Sequence, residues 1–212
     1  MIMKKLIFHF CFALLAGSIY AQGTAKIVLN QPDLKRGLPV MESLSKRASA
    51  TEFTGAKLSI QDLSDLLWAA NGINRKENGK RTAPSAMNSQ DIDVYMFAEE
   101  GVYLYDAVNH VLNQVVTTDQ RVLVAGNQAE FAKAAVILLL VSDISRFKSG
   151  EETMKIAWAA MDAGIVSQNI AIFCAGTGLK TRPRVSMNQQ KLREILQLKD
   201  SQYLMLNNPV SY

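Results

Sequence analysis

Residues 134–141 read AAVILLLV, and residues 151–177 read EETMKIAWAAMDAGIVSQNIAIFCAGT. The first run is apolar on both faces at a spacing of two and is rich in β-branched and leucine side chains, which predicts a central strand covered on both sides. The second is the longest element of the chain, an apolar helix carrying Met154, Trp158, Met161, Ile165 and Ile172. Its polar side chains, Asp162, Ser167, Gln168 and Asn169, fall in the middle. They suit either contacts between helices or groups at a subunit interface, and the sequence leaves both open.

Working outward, residues 92–98 alternate, Glu99-Glu100-Gly101 turns, and residues 102–105 continue a hairpin, with 111–116 as a third strand. A short helix is expected over 120–125, another over 188–198, and a final strand over 203–206. Upstream, 40–48 places Val40, Leu44 and Ala48 on one helix face, with Pro39 where a first-turn proline is tolerated. Residues 59–71 form a second helix: Ser59 and Asp62 have capping-box spacing, Leu63, Leu66, Leu67 and Ala70 make its stripe, and Asn71-Gly72 stops it. Residues 22–39 read as a loose stretch and 73–83 as a polar, basic loop. Long helices and a strand cluster that begins as hairpins predict an α+β domain with a mainly antiparallel central sheet flanked by helices.

The chain has 212 residues, 49% of them apolar and 20% charged, enough for a packed core. Residues 1–21, MIMKKLIFHFCFALLAGSIYA, show a short basic start, an apolar run and a small residue before Gln22. That is the layout of a secretory signal peptide, with an uncleaved anchor as the alternative. The division expected is a signal peptide over 1–21, an N-terminal extension over 22–39 and a domain over 40–212. Export, to a periplasm, and no stable membrane insertion after cleavage follow. Losing Lys4 and Lys5 leaves 21 Lys and Arg against 19 Asp and Glu, a balance of +2 in place of +4. So nearly neutral a chain has no general pull toward nucleic acid. His9 and Cys11 leave with the leader, so His110 and Cys174 remain alone. One chain then supplies neither a His/Cys metal cluster nor an internal disulfide. His110, after Asn109, reads as a turn residue, and Cys174 as core.

Three segments carry groups suited to a ligand. In residues 46–53, KRASATEF, the Arg47 guanidinium and Ser49 hydroxyl can hold a phosphate or polyol, or form a solvated helix end. Residues 82–90, TAPSAMNSQ, let a flat ring approach the backbone while amides and hydroxyls bond its edge, or form a capped turn. Residues 176–186, GTGLKTRPRVS, leave the long helix through glycines into a basic strand, which either passes a ligand or ends the helix with its expected cations.

Taken in order, KRASATEF (46–53), LSIQDLSDLLWAANGINR (58–75), GKRTAPSAMNSQ (79–90), DAGIVSQNIAIFCAGTGL (162–179) and YLMLNNPVSY (203–212) resemble the nitroreductase superfamily of FMN-dependent oxidoreductases. The branch most resembled includes the azoline (thiazole- and oxazole-forming) dehydrogenases. The resemblance implies a nitroreductase-like fold over 40–212, with the long helix at a subunit interface. In that family an Arg-x-Ser-x-Arg-x-Phe pattern holds the FMN phosphate and ribityl chain. Arg47, Ser49 and Phe53 match it, Ala48 lies between, and Thr51 stands where a second Arg or Lys is usual. A Pro-Ser-x-x-Asn-x-Gln loop reaches the flavin across the dimer, matched here by Pro84, Ser85, Asn88 and Gln90, with Ala86 inside it. Residues 181–185, including Arg182, Pro183 and Arg184, are implied to run beside the flavin ring near N5. Relatives carry a further cation beyond Pro-Val-Gly-Tyr. Here Pro209-Val210-Ser211-Tyr212 is reached without one, and Lys80, Arg81, Arg182 and Arg184 are the candidates to replace it.

The implied chemistry is ping-pong transfer of a hydride or two electrons through flavin N5, to or from a small organic substrate, in a homodimer with two equivalent sites. No side chain is then required as catalytic acid or base, and no metal. NAD(P)H is the donor of cytosolic relatives and would be scarce outside the inner membrane. An exported flavin-binding protein with little or no turnover is the second expectation, favoured by Thr51.

Overall fold

In the computed structural model, residues 25–212 are described, so the expected leader lies outside the described residues. The run AAVILLLV opens β7 (Val136–Asp143), and every one of its eight residues is buried. Side chains alternate across a strand. Leu138 and Leu140 therefore enter one core with Leu66, Leu67 and Ile170, while Ile137, Leu139 and Val141 enter another with Val124 and Leu192. Two buried faces, each covered by helices, are why this strand shows no polar position. Each such leucine contributes about 2 kcal/mol by leaving water.

The sheet has seven strands in the order β1-β6-β5-β4-β7-β9-β8, all neighbours antiparallel. They are β1 (Lys26–Val28), β4 (Ile92–Ala98), β5 (Gly101–Asp106), β6 (Val111–Val116), β7, β8 (Lys180–Thr181) and β9 (Gln202–Ser211). The helices are α1 (Val40–Lys46), α2 (Ile60–Asn71), α3 (Arg121–Ala125), α4 (Glu152–Thr177) and α5 (Gln189–Ile195). The expected capping box of α2 is present in both halves, Ser59 with Asp62. By length and composition α4 could cross a membrane. Instead it is the core helix on which α1, α2 and β9 pack. It ends at Gly178, whose φ of +79° is the left-handed cap that glycine adopts freely.

Three expectations are corrected. The stretch 22–39 is not loose throughout: β1 extends the sheet by pairing with β6, and Arg36 binds Asp62 and Asp65 of α2. The loop 73–83 contains a small hairpin of β2 (Ile73–Arg75) and β3 (Lys80–Arg81). The final strand does not stop at 206. Asn207 turns its N–H and C=O toward Arg184, and Arg184 returns both bonds. Pro209, two residues on, has its missing N–H on that same side, away from β7, so the β7 ladder is not interrupted.

Candidate functional site

Arg47 caps α1 with extended backbone (φ −61°, ψ 120°) and sends residues 48–51 along the sheet edge. Ala50 N–H donates to the Thr181 carbonyl at 3.0 Å, which ties this segment to β8. Between the segment, β8 and the C-terminal part of α4 lies a cleft of about 340 Å³. Lys46, Ala48, Ser49, Ala50, Thr51, Ala171, Cys174, Lys180 and Thr181 line it, together with one carboxylate, Glu52. Small side chains dominate the walls, so a flat ligand can lie against backbone. The cations are Lys46, 3.0 Å from Glu42, and Lys180. Arg47, exposed at the end of α1 between Lys46 and Ala48, is not itself part of the lining; neither it nor Lys180 has an ion-pair partner among the described residues.

Thr181 is 3% exposed, and its Oγ1 has no hydrogen-bond partner. Such a buried hydroxyl costs about 1–3 kcal/mol until a polar group meets it, and it sits in the cleft wall. Burial pushes the Cys174 thiol well above its ordinary range, so it is a neutral wall group and not a nucleophile. A small-walled cleft with cations at its edge and one orphaned hydroxyl fits a phosphorylated flavin.

Arg182, Pro183 and Arg184 do not line this cleft. Arg182 points its guanidinium at the Phe131 ring, 5.9 Å from the centroid, and Pro183 is exposed. Arg184 is 6% exposed and stacks 4.2 Å from the same centroid. Its N–H groups donate to Ala125 O (2.8 Å), Asn207 Oδ1 (2.8 Å), Gln128 Oε1 (3.0 Å) and Val124 O (3.4 Å). It therefore clamps β9 to the carbonyl end of α3, where helix carbonyls lack partners.

The loop of residues 84–90 lies elsewhere on α4. Met87, Asn88 and Gln90 have φ of 53°, 53° and 49°, left-handed values that cost non-glycine residues about 1 kcal/mol or more each. The loop is held from several sides. Ala86 N–H donates to both oxygens of Asp162 (2.9 and 3.1 Å), Gln90 N–H to Ser85 Oγ (2.8 Å), and Arg146 to the Gln90 carbonyl (3.0 Å). The Gln90 amide is engaged by Arg81 Nε (3.1 Å) and the Gly79 carbonyl (3.0 Å). Pro84 and Asn88 are exposed, with Ser85 and Ala86 partly so. Asp162 precedes Ala171 by nine residues, about 14 Å of helix. One protomer thus does not bring this loop and the cleft together.

A second cleft, about 450 Å³, lies between α2, the β2–β3 hairpin and the turn at 107–110, with Trp68, Ile73, Lys76 and His110 in its walls. His110 is a turn residue as expected (φ 52°), partly buried, with Nδ1 2.8 Å from the Tyr105 hydroxyl. The sequence reading missed Lys46, Lys180 and the Thr181 hydroxyl as cleft groups. The basic run KTRPR was the visible signal, but only its first two residues, Lys180 and Thr181, line the cleft, and that depends on how β8 pairs with β9.

An antiparallel sheet built on a long central helix, with a small-walled cleft at the helix's C-terminal end, is the architecture of the flavin-type oxidoreductase fold. The chain belongs to the nitroreductase family, whose sequence pattern matches residues 44–209. It is similar to a Methanocaldococcus jannaschii protein named as a nitroreductase, 27% identical over 184 residues that span 82% of this chain and 92% of that one. Among solved structures it is similar to a nitroreductase of Ralstonia eutropha, with a TM-score of 0.82, 32% identity and 88% of each chain covered. A chain of the E. coli microcin synthetase complex, solved with truncated pro-MccB17 bound, shares its fold: TM-score 0.69, 18% identity, 97% of this chain and 84% of that one covered. Members of the nitroreductase family generally use FMN.

Proposed function

We propose that the protein is an FMN-dependent oxidoreductase, a homodimer that passes a hydride or two electrons to or from a small organic substrate in ping-pong fashion. The observation that carries this reading is the 340 Å³ cleft, where the Ser49 segment meets β8 around the orphaned Thr181 hydroxyl. FMN supplies the redox chemistry at the ring atom N5 when bound, and the protein supplies binding, orientation and electrostatics. Arg47, Lys46 and Lys180 bind the phosphate, the two lysines replacing the cation that Thr51 does not provide. Ser49 and Thr51 hold the ribityl hydroxyls. Thr181 Oγ1 bonds a polar edge of the ring, and Ala48, Ala50 and Ala171 let that ring approach backbone closely. Arg182 and Pro183 shape the approach along the strand after Thr181.

The cleft is at the low end of the roughly 300–1,000 Å³ of ligand sites, as expected of half a site. In the dimer the loop with Pro84, Ser85, Ala86 and Asn88 completes the partner's cleft, while Gln90 holds the loop in shape. The dimer surface is the exposed apolar face of α4 (Met154, Met161, Ile165) with that of α1 (Val40, Met41, Leu44). Exposed large apolar side chains along α4, and on α1 where it packs at the C-terminal end of α4, are the kind of surface that an interface covers. We also propose export to the periplasm, supported by the leader pattern of 1–21, with either a reductant other than NAD(P)H or a dehydrogenation that uses another acceptor. The five passages support reading it as a member of the azoline dehydrogenase branch.

The test is FMN titration of the purified protein and of Arg47→Ala, which should weaken retention; unchanged affinity sinks the assignment. Steady-state reduction of a nitroaromatic or quinone separates an enzyme from a flavin carrier without turnover. The carrier is the second reading, carried by the threonine at position 51.

A further inference from the structure

The second cleft, about 450 Å³ against 340 Å³ for the first, shares no lining residue with it. Its volume falls within the range of small-molecule sites. The walls are held in place before any ligand arrives. The Trp68 indole N–H donates to the Ile73 carbonyl (3.1 Å). Thr82 straps the base of the β2–β3 hairpin to the end of α2, its N–H donating to the Gly72 carbonyl (2.8 Å) and its hydroxyl to the Trp68 carbonyl (3.1 Å). Gly72 lets the indole lie directly on the backbone, since a Cβ there would come within 2.5 Å of Trp68 Cδ1. Further along the hairpin the Gly79 carbonyl accepts from the Gln90 amide (3.0 Å). Fixed in this way, the partly exposed indole joins Ile73, Pro32 and Val108 in an apolar wall that needs little ordering on binding.

The polar groups of the lining favour an acceptor that carries negative charge. Lys76, exposed on the hairpin, has no ion-pair partner among the described residues, and the lining holds no aspartate or glutamate. Asp106, the carboxylate of the neighbouring turn, is engaged by the Val108 and Asn109 N–H groups (2.9 and 3.1 Å) and the Asn109 amide (2.6 Å). The Tyr105 hydroxyl, on a residue 7% exposed, has one hydrogen-bond partner among the described residues, His110 Nδ1 at 2.8 Å. A buried hydroxyl donates where it can, so Nδ1 accepts. Burial holds the imidazole below its ordinary pKa, which keeps the ring neutral, and its one hydrogen is then on Nε2. Nε2 is buried without a partner: the Asn30 carbonyl lies near the ring but outside hydrogen-bond geometry. A buried donor in this state destabilises the fold until an acceptor meets it.

We infer that this cleft is a second ligand site that takes a small aromatic carboxylate, its ring against Trp68 and its carboxylate drawn by Lys76 and the His110 N–H. The indole supplies a broad flat contact, and the carboxylate satisfies the donor through a charge-assisted bond. The site is separate from the flavin cleft and stands whether or not that cleft binds FMN.

Trp68 and Trp158 are the two tryptophans of the chain, so the indole N–H region of an amide-type NMR spectrum holds two signals, which Trp158→Phe assigns. Trp158 packs on Phe147 and is not part of this cleft. Phenylacetate is the probe and phenylacetamide its neutral control. The acid should shift the Trp68 signal and leave that of Trp158, with a Kd of about 1 mM or tighter for a fragment of this size. The amide should bind about ten-fold more weakly. Lys76→Glu, at an exposed position, should weaken the acid about ten-fold and leave the amide unchanged. His110→Asn keeps a residue type that tolerates positive φ but removes the donor, and should weaken acid and amide alike, about ten-fold. No shift of the Trp68 signal at about 10 mM acid overturns the site. So does equal binding of acid and amide, or an acid affinity that ignores Lys76→Glu or His110→Asn. Excess FMN should leave the Trp68 titration unchanged, and displacement of the acid by FMN overturns a separate site. A protein that binds the acid in this manner but takes no FMN supports the site and counts against the flavin reading alone.

Discussion

Replacing Arg184 by Met should cost about 2–3 kcal/mol of stability while leaving the cleft lining in place. The methionine keeps apolar contact with Phe131 but removes every donor of the guanidinium. Gln128 is exposed and turns to water, so its loss matters little. Ala125 O and Asn207 Oδ1 are buried and lose bonds of 2.8 Å each, at about 1–3 kcal/mol per orphaned acceptor. Against this, the wild type buries a guanidinium that has no ion-pair partner among the described residues and only the more distant charge of Glu130 to favour it. Burial lowers its pKa accordingly, and removing that desolvation returns part of the loss. At about 2–4 °C per kcal/mol for a chain of this size, Tm should drop by roughly 5–10 °C. Thermal unfolding followed by circular dichroism reads the shift, and FMN affinity is measured alongside below the transition. A Tm within about 2 °C of wild type, together with a large loss of FMN affinity, would refute the structural role and return Arg184 to the cofactor site.

At acid pH the carboxylate of Asp62 should matter most. Burial alone would raise its pKa, but hydrogen bonds from Ser59, Tyr212 and Arg36 outweigh it and hold the group at about 2. A folded pKa below the unfolded value adds stability above about pH 4 that is lost as pH falls toward about 2. With Arg36 partly solvated, the contribution is about 1–2 kcal/mol. Urea midpoints of wild type and Asp62→Asn should therefore converge over that window; a constant gap would contradict the pairing. Leu139→Ala, in the second core, should cost about 2–5 kcal/mol because neighbours on β4 and β9 cannot collapse into the space, readable from the same urea curves. Met161, 65% exposed in one protomer, is expected at the centre of the dimer surface. Met161→Asp should yield monomers by sedimentation, with flavin lost alongside, and a dimer that survives it would displace the interface from α4.

Elements set by local pattern were legible in the residues themselves. The run 134–141 had no polar position because both faces of β7 are covered, and α2 carried its own start and stop in Ser59, Asp62 and Gly72. The extension of β9 past 206 was not legible, because Pro209 fits a strand wherever its missing N–H faces away from the ladder, a fact of pairing partners distant in sequence. The same distance hid the site's electrostatics. Arg182 and Arg184 stood out as cations, but Phe131 and the end of α3 claim them, while Lys180, two residues before Arg182, lines the cleft. Asp162 was visible as a polar residue in an apolar helix. Its partner, the Ala86 N–H, is 76 positions earlier, and only the fold sets the two together.

The visible spectrum of the purified protein, after incubation with FMN and removal of the excess, is the most direct measurement. A yellow protein with a bound-flavin spectrum and about one FMN per chain is expected, since each of two equivalent clefts takes one cofactor. A colourless protein that is folded and dimeric yet retains no FMN would contradict the assignment at its centre.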